Sequence, residues 1–164
     1  MKKKVVILGS TGSIGCNALE VLDALSSEYE VIALSAHRNI DLLAKQVRRF
    51  TPAYAAITHE ESAAASKQFD DFSGTILSGP DSLVELASLD QADIIVCAVV
   101  GAAGLLAALA AAKAGKIVAI ANKEPLVIAG ELLTTAAREN GAKLLPIDSA
   151  ILILRPRPNK TWSV

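Results

Sequence analysis

Three glycines at every third position, Gly9, Gly12 and Gly15, follow an apolar run from Val5 to Leu8 and lead straight into a helical pattern. A dinucleotide pyrophosphate site needs this strand–turn–helix setting. Glycine lets the backbone turn tightly and come close to phosphate oxygens. The helix start supplies free N–H groups and a partial positive charge. Thr11, Gly12, Ser13 and Ile14 are the residues such a turn would bring to the anion. The spacing differs from the commoner G-x-G-x-x-G form. A tight strand–helix turn without a ligand uses the same glycines, so the motif alone leaves both readings open.

A second clue lies at the end of the next strand. Sites selective for NAD place an acid there, about 20 residues beyond the glycines, to hold the ribose 2′-hydroxyl. Here the stretch reads Ser35-Ala-His-Arg-Asn39, without an acid. Arg38 suits a 2′-phosphate, in a charge-assisted and bidentate contact. His37 and Asn39 add hydrogen-bonding groups. The expectation is NADP over NAD, against the plainer alternative of a solvated loop arginine.

The elements that must position these residues alternate along the chain. Strands are predicted over residues 5–8, 31–35, 53–58, 75–78, 92–100, 116–121 and 143–147. Helices are predicted after the glycine turn and over 42–50, 60–69, 80–88, 105–113 and 125–139. Strict alternation with short connections implies parallel strands and right-handed crossovers. The fold class is therefore α/β: a Rossmann-like, doubly wound, mainly parallel sheet, with its ligand site beyond the C-terminal strand ends. Residues 1–150 form this domain. Residues 151–164, with Arg155-Pro-Arg-Pro, cannot continue a helix or a central strand and are expected to be an extended or disordered tail. Trp162 is expected to dock on the body, the alternative being that it awaits a missing partner surface.

Composition agrees. Of 164 residues 52% are hydrophobic but only 4% aromatic, as buried parallel strands and closely packed helices require. The net charge of −1 argues against a nucleic-acid partner. No apolar stretch approaches the ~20 residues of a membrane span. Two cysteines make no disulfide framework, so a reducing, cytoplasmic setting is expected. Cys97, inside an apolar strand, reads as core. Cys16 sits at a helix start, where either a lowered pKa or close packing would explain it. His59 reads as a surface residue.

Several blocks carry a resemblance: Gly9-Ser-Thr-Gly-Ser-Ile-Gly-Cys16, Ala36-His-Arg-Asn39, Val99-Val-Gly-Ala-Ala-Gly-Leu-Leu106, Ala121-Asn-Lys-Glu124 and Leu144-Leu-Pro-Ile-Asp-Ser149. In this order the chain resembles the N-terminal, NADPH-binding domain of 1-deoxy-D-xylulose 5-phosphate reductoisomerases, over about residues 4 to 149. The family converts deoxyxylulose phosphate to 2-C-methyl-D-erythritol 4-phosphate in the non-mevalonate isoprenoid pathway, using NADPH and Mn²⁺ or Mg²⁺. The resemblance implies that Thr11, Gly12, Ser13 and Ile14 line the pyrophosphate turn and that His37, Arg38 and Asn39 hold the 2′-phosphate. It implies that Asn122 and Glu124 contact the nicotinamide half, that Lys123 and Ser149 bind substrate, and that Asp148 is a metal ligand. Lys123 and Asp148 are thus the implied catalytic pair. It also implies a phosphosugar substrate and a homodimer in the full-length family. Both Asn122–Glu124 and Asp148–Ser149 fall at predicted strand ends on the ligand edge. A charged helix start and a turn pair are the plainer readings of those residues.

The chain departs from the family after Ser149. The family pattern continues Asp-Ser-Glu-His, whereas Ala150 and Ile151 stand here. The missing Glu would be a second metal ligand, and one carboxylate is too little for tight binding of a hard cation. Set against the family, the lid, further substrate residues and the C-terminal helical domain are expected to be missing from this chain, and Pro125 stands where Ser is usual. The expectation is a cofactor-binding chain that turns over little alone. A non-catalytic NADP-binding module is the alternative. A dehydrogenase using a Tyr-x-x-x-Lys pair is excluded, because Tyr29 and Tyr54 are followed four places later by Ala33 and Thr58.

Overall fold

A computed structural model describes residues 1–60, 67–121 and 123–147, of which residues 67, 123–126 and 128 are described by their backbone alone. Sequence expectations that fall on 61–66, 122 and 148–164 lie outside the described residues; these include most of the helix at 60–69, the tail and Trp162. Within the described residues the order is β1 (Lys3–Leu8), α1 (Ser13–Ala24), β2 (Tyr29–Ala36), α2 (Ile40–Phe50), β3 (Tyr54–Ile57), a 3₁₀ turn (Lys67–Phe69) and β4 (Thr75–Ser78). Then come α3 (Ser82–Ala87), β5 (Ile94–Cys97), α4 (Gly101–Lys113), β6 (Ile117–Ile120), α5 (Lys123–Asn140) and β7 (Lys143–Pro146).

The seven strands form one sheet in the order β4-β3-β2-β1-β5-β6-β7, and every neighbouring pair is parallel. The order reverses between β1 and β5. Both lie inside the sheet, which is why their residues are apolar on both faces. Alternation sorts them: Val5, Ile7, Ile94 and Val96 pack with Leu19, Leu22, Leu43 and Val47 of α1 and α2. Val6, Leu8, Ile95 and Cys97 pack on the opposite face with Leu83 and Leu86 of α3 and Ala107, Ala108 and Ala111 of α4. A register shift between Val5 and Val6 in the β1–β2 pairing puts Ile32 and Ala33 on the same face, a small irregularity of the kind a bulge produces. The alanines of α4 let that helix sit close to the sheet and to α5, where Ala112, Ala136 and Ala137 meet. Among the described residues, no helix is long and apolar enough to cross a membrane.

Two boundaries differ from expectation for one reason. The apolar run 92–100 stops pairing at Cys97, because its neighbours β1 and β6 pair only to Leu8 and Ile120. Beyond Ala98, whose N–H still donates to the Leu8 carbonyl, the chain has no strand to follow. It turns instead at Gly101 (φ 75°) into α4, four residues earlier than expected. Val100 is left 72% exposed. The helix expected at 125–139 runs Lys123–Asn140 but is broken at Ala129, whose φ of −138° is not helical.

Candidate dinucleotide site

The glycine turn sits at the C-terminal end of β1, beside the point where the strand order reverses. Gly9 has φ +81°, and a Cβ there would stand 2.9 Å from the Ala98 carbonyl oxygen. Two needs therefore fix glycine at this position: the left-handed backbone and contact with the next strand's end. A Cβ on Gly15 would lie 2.3 Å from the Gly9 oxygen and 2.6 Å from Ser10 Cα. Gly12 is different. Its added Cβ would meet only the Gly9 oxygen, at 3.5 Å, so packing does not demand glycine there. Gly12 is the N-cap of α1, and no side chain caps that helix. Its first-turn N–H groups are thus left for a ligand.

A cavity of about 420 Å³ opens over this turn. Gly9, Thr11 and Gly12 line one side, Ser35, Ala36, His37 and Thr58 the ends of β2 and β3, and Pro80, Leu83, Ala98, Val99, Val100 and Ala103 the rest. It is the crevice that a doubly wound sheet opens at its switch point. The larger part of the wall is apolar, as a nucleoside requires. Smaller hollows elsewhere, such as the one between α2 and the 3₁₀ turn (about 250 Å³), lie away from the strand ends.

The structure places the predicted residues unequally. Thr11, Gly12 and His37 border the cavity. Ser13 is exposed at the first turn of α1, while Ile14 packs against the core and can offer a ligand only its backbone. Arg38 and Asn39 are exposed just beyond β2, and among the described residues Arg38 forms no ion pair. The Asn39 carboxamide oxygen accepts from Leu42 N–H at 3.2 Å, capping α2, so only its NH₂ group remains to donate outward. His37 Nδ1 lies 2.8 Å from Thr58 Oγ1. With that hydroxyl donating, the ring proton sits on Nε2, which becomes a donor. The backbone at Lys123 and Glu124 opens α5 directly after β6, on the same sheet edge. Asn122, Asp148 and Ser149 lie outside the described residues. Among the described residues no three His, Cys, Asp or Glu are grouped to hold a metal ion.

Some of the site was not apparent from the motifs. His59, read as a surface residue, stacks edge-on against His37 with ring centroids 5.3 Å apart. A buried polar trio lies behind the turn: Ser10, Ser35 and Gln46, none more than 7% exposed. The Ser10 and Gly9 N–H groups donate to Ser35 O (2.8 Å) and Ser35 Oγ (2.9 Å). Ser10 Oγ donates to Gln46 Oε1 at 2.7 Å, and Gln46 Nε2 returns a bond to Ser10 O at 2.8 Å. The sequence signal was a glutamine beside the buried positions Leu43, Ala44 and Val47 of one helix. Cys97 is core, as expected: burial pushes its thiol up to about 11, despite a weaker opposing bond from the Val99 backbone.

Fold and site together define a Rossmann-like α/β domain with a glycine turn at the switch point of its sheet. The chain belongs to the 1-deoxy-D-xylulose 5-phosphate reductoisomerase family, whose model matches residues 5–130. It is 45% identical over 150 residues to the 1-deoxy-D-xylulose 5-phosphate reductoisomerase of Halothermothrix orenii, covering 91% of this chain and 39% of that protein. It is 48% identical over 151 residues to that of Methylococcus capsulatus, covering 90% and 38%. The structure is similar to that of the Zymomonas mobilis reductoisomerase in complex with NADPH, with a TM-score of 0.85 and 41% identity over 89% of this chain and 38% of that one. A reductoisomerase in complex with NADPH, fosmidomycin and magnesium aligns with a TM-score of 0.84 and 40% identity, over 89% of this chain and 36% of that one. The chain thus spans about two-fifths of the length of these relatives. A hyperthermophilic archaeal homoserine dehydrogenase, at 24% identity and a TM-score of 0.61, shares the fold alone.

Proposed function

We propose that this chain binds NADPH in the switch-point crevice and is the cofactor-binding part of a cytoplasmic reductoisomerase acting on deoxyxylulose phosphate. The observation that carries the reading is the glycine turn over an uncapped helix start, opening on a crevice of about 420 Å³. The N–H groups of Thr11, Ser13 and Ile14 would hold the pyrophosphate, and Gly12 would let it approach. Arg38, with His37 and the Asn39 NH₂ group, would hold the 2′-phosphate. Asn122 and Glu124 would orient the nicotinamide half, and Lys123 would stabilise an oxyanion on the phosphosugar, with Ser149 as a second substrate contact. The bound nucleotide would supply the hydride. The homodimer of the full-length family would bring a second copy.

A divalent ion fits less well. Asp148 is followed by Ser149 and Ala150, so the next two positions in the sequence supply no second carboxylate. Mn²⁺ and Mg²⁺ need several oxygen ligands, and the residues present do not make a tight site for either. This favours, as a second reading, a domain that binds NADP without turning over substrate.

Calorimetric titration with NADPH and NADH tests the proposal. Binding is expected for both, tighter for NADPH. No heat and no shift in melting with NADPH would overturn it. An assay with deoxyxylulose phosphate and Mn²⁺ then separates the two readings: full turnover excludes the binding module, and none supports it.

A further inference from the structure

We infer that Gln46 is a positioning residue for the cofactor's phosphates, acting through the Ser10–Thr11 peptide. The inference rests on the NADPH reading above and adds a residue from another helix to that site. Gln46 is buried on α2 and grips Ser10 twice, accepting from its hydroxyl and donating to its carbonyl. The Ser10 carbonyl is therefore drawn toward α2. In a trans peptide, C=O and the following N–H point in opposite directions, and this chain has no cis bond among the described residues. The Thr11 N–H is thus turned away from α2, on the crevice side that Thr11 borders. No backbone acceptor takes it among the described residues. Ser35 fixes Gly9 and Ser10 from β2 but leaves the 10–11 peptide free to turn over. Gln46 holds the Ser10 carbonyl by the shorter bond, 2.8 Å, with the Cys16 thiol, a weak donor on α1, at 3.5 Å from the same oxygen. The same helix is capped by Asn39, next to Arg38, so α2 ties the pyrophosphate turn to the 2′-phosphate end.

Gln46→Glu tests this. A protonated glutamic acid can still donate to the Ser10 carbonyl and accept from its hydroxyl. An ionised one can only accept, and it repels that carbonyl. Burial raises the pKa of the new carboxyl. The titratable groups bordering position 46 are Cys16, Glu20 and Asp23 of α1 and Arg49 of α2. All are present in the wild type, so its own pH dependence serves as the reference. NADP⁺ and NAD⁺, which survive acid, are titrated into the 164-residue chain at pH 5.5 and 8.

The variant is expected to match the wild type at pH 5.5 and to bind both nucleotides about tenfold more weakly at pH 8, as for one lost charge-assisted bond. Equal loss for both nucleotides separates Gln46 from Arg38, whose loss affects only the phosphorylated one. Gln46→Met, which removes both bonds and keeps volume, is expected to be weak at both pH values; it is the arm to read should the glutamate variant not fold. Wild-type affinity in a folded Gln46→Met overturns the inference while the cofactor reading stands. A wild type that binds neither nucleotide overturns both.

Discussion

The Cβ that Gly15 lacks would stand 2.3 Å from the carbonyl oxygen of Gly9. The first and last glycines of the turn thus hold each other: one bends the chain back and the other lets α1 close over it. Gly15→Ala should push the helix start off the turn. Overpacking against backbone, which cannot rotate aside, costs about 3 kcal/mol. Urea unfolding should show that loss, together with loss of nucleotide binding. Gly12→Ala should do the reverse. Its new methyl meets only an ordinary contact at 3.5 Å, so stability should stay within about 1 kcal/mol, while affinity falls because the methyl stands where the phosphates must come. A Gly12→Ala variant binding NADPH as tightly as wild type would count against the site.

The contrast shows what was legible in the residues. Gly9, Gly12 and Gly15 look alike in sequence, and the turn and helix they announce are there. Their separate reasons (backbone angle, ligand approach and helix packing) needed the neighbours Ala98 and Ser10. The sheet was legible because β1 and β5 are apolar on both faces. The end of β5 was not, because Val99 and Val100 are as apolar as Val96; pairing stops where the neighbouring strands stop, which is not written locally. Gln46 reads as an exposed helix residue unless its place beside Leu43 and Val47 is weighed. The place of Arg38 just beyond a strand end was legible from its distance past the glycines, but the cap that engages Asn39 was not.

Arg38 should decide between the two nucleotides. It is exposed, beyond the end of β2, in a stretch with no acid. Arg38→Ala should weaken NADPH about 10- to 100-fold, the worth of a charge-assisted contact to phosphate, and leave NADH within about twofold. Parallel calorimetric titrations give both numbers. An equal loss for both nucleotides would place the 2′-phosphate elsewhere.

Mn²⁺ should add little. With Ala150 after Asp148–Ser149, millimolar Mn²⁺ is not expected to raise the melting temperature of the NADPH-loaded chain by more than about a degree, since a weak site stabilises only by mass action. Ala150→Glu, which puts a second carboxylate two residues from Asp148, should make the chain's melting respond to Mn²⁺. A large shift in the unaltered chain would mean that other residues complete a metal site.

Cys97 gives an alkaline signature of the core. Its thiol, held against the Gly104 carbonyl (3.4 Å), is raised from about 9 to about 11 by burial. A raised pKa means the folded state keeps a proton that the unfolded chain releases. The stability this gives is fully present below pH 9 and is lost as the pH rises through 11. At pH 10 the loss should be about 1 kcal/mol, read as the difference between wild type and Cys97→Ala in urea unfolding at pH 8 and 10. Tyr29, also raised by burial, titrates in both proteins and cancels. In thiol labelling at pH 8 only the half-buried Cys16 should react while the chain is folded, and Cys97 should follow only on unfolding. Rapid labelling of both would show that β5 is open to solvent, and the crevice built on its end would lose its floor.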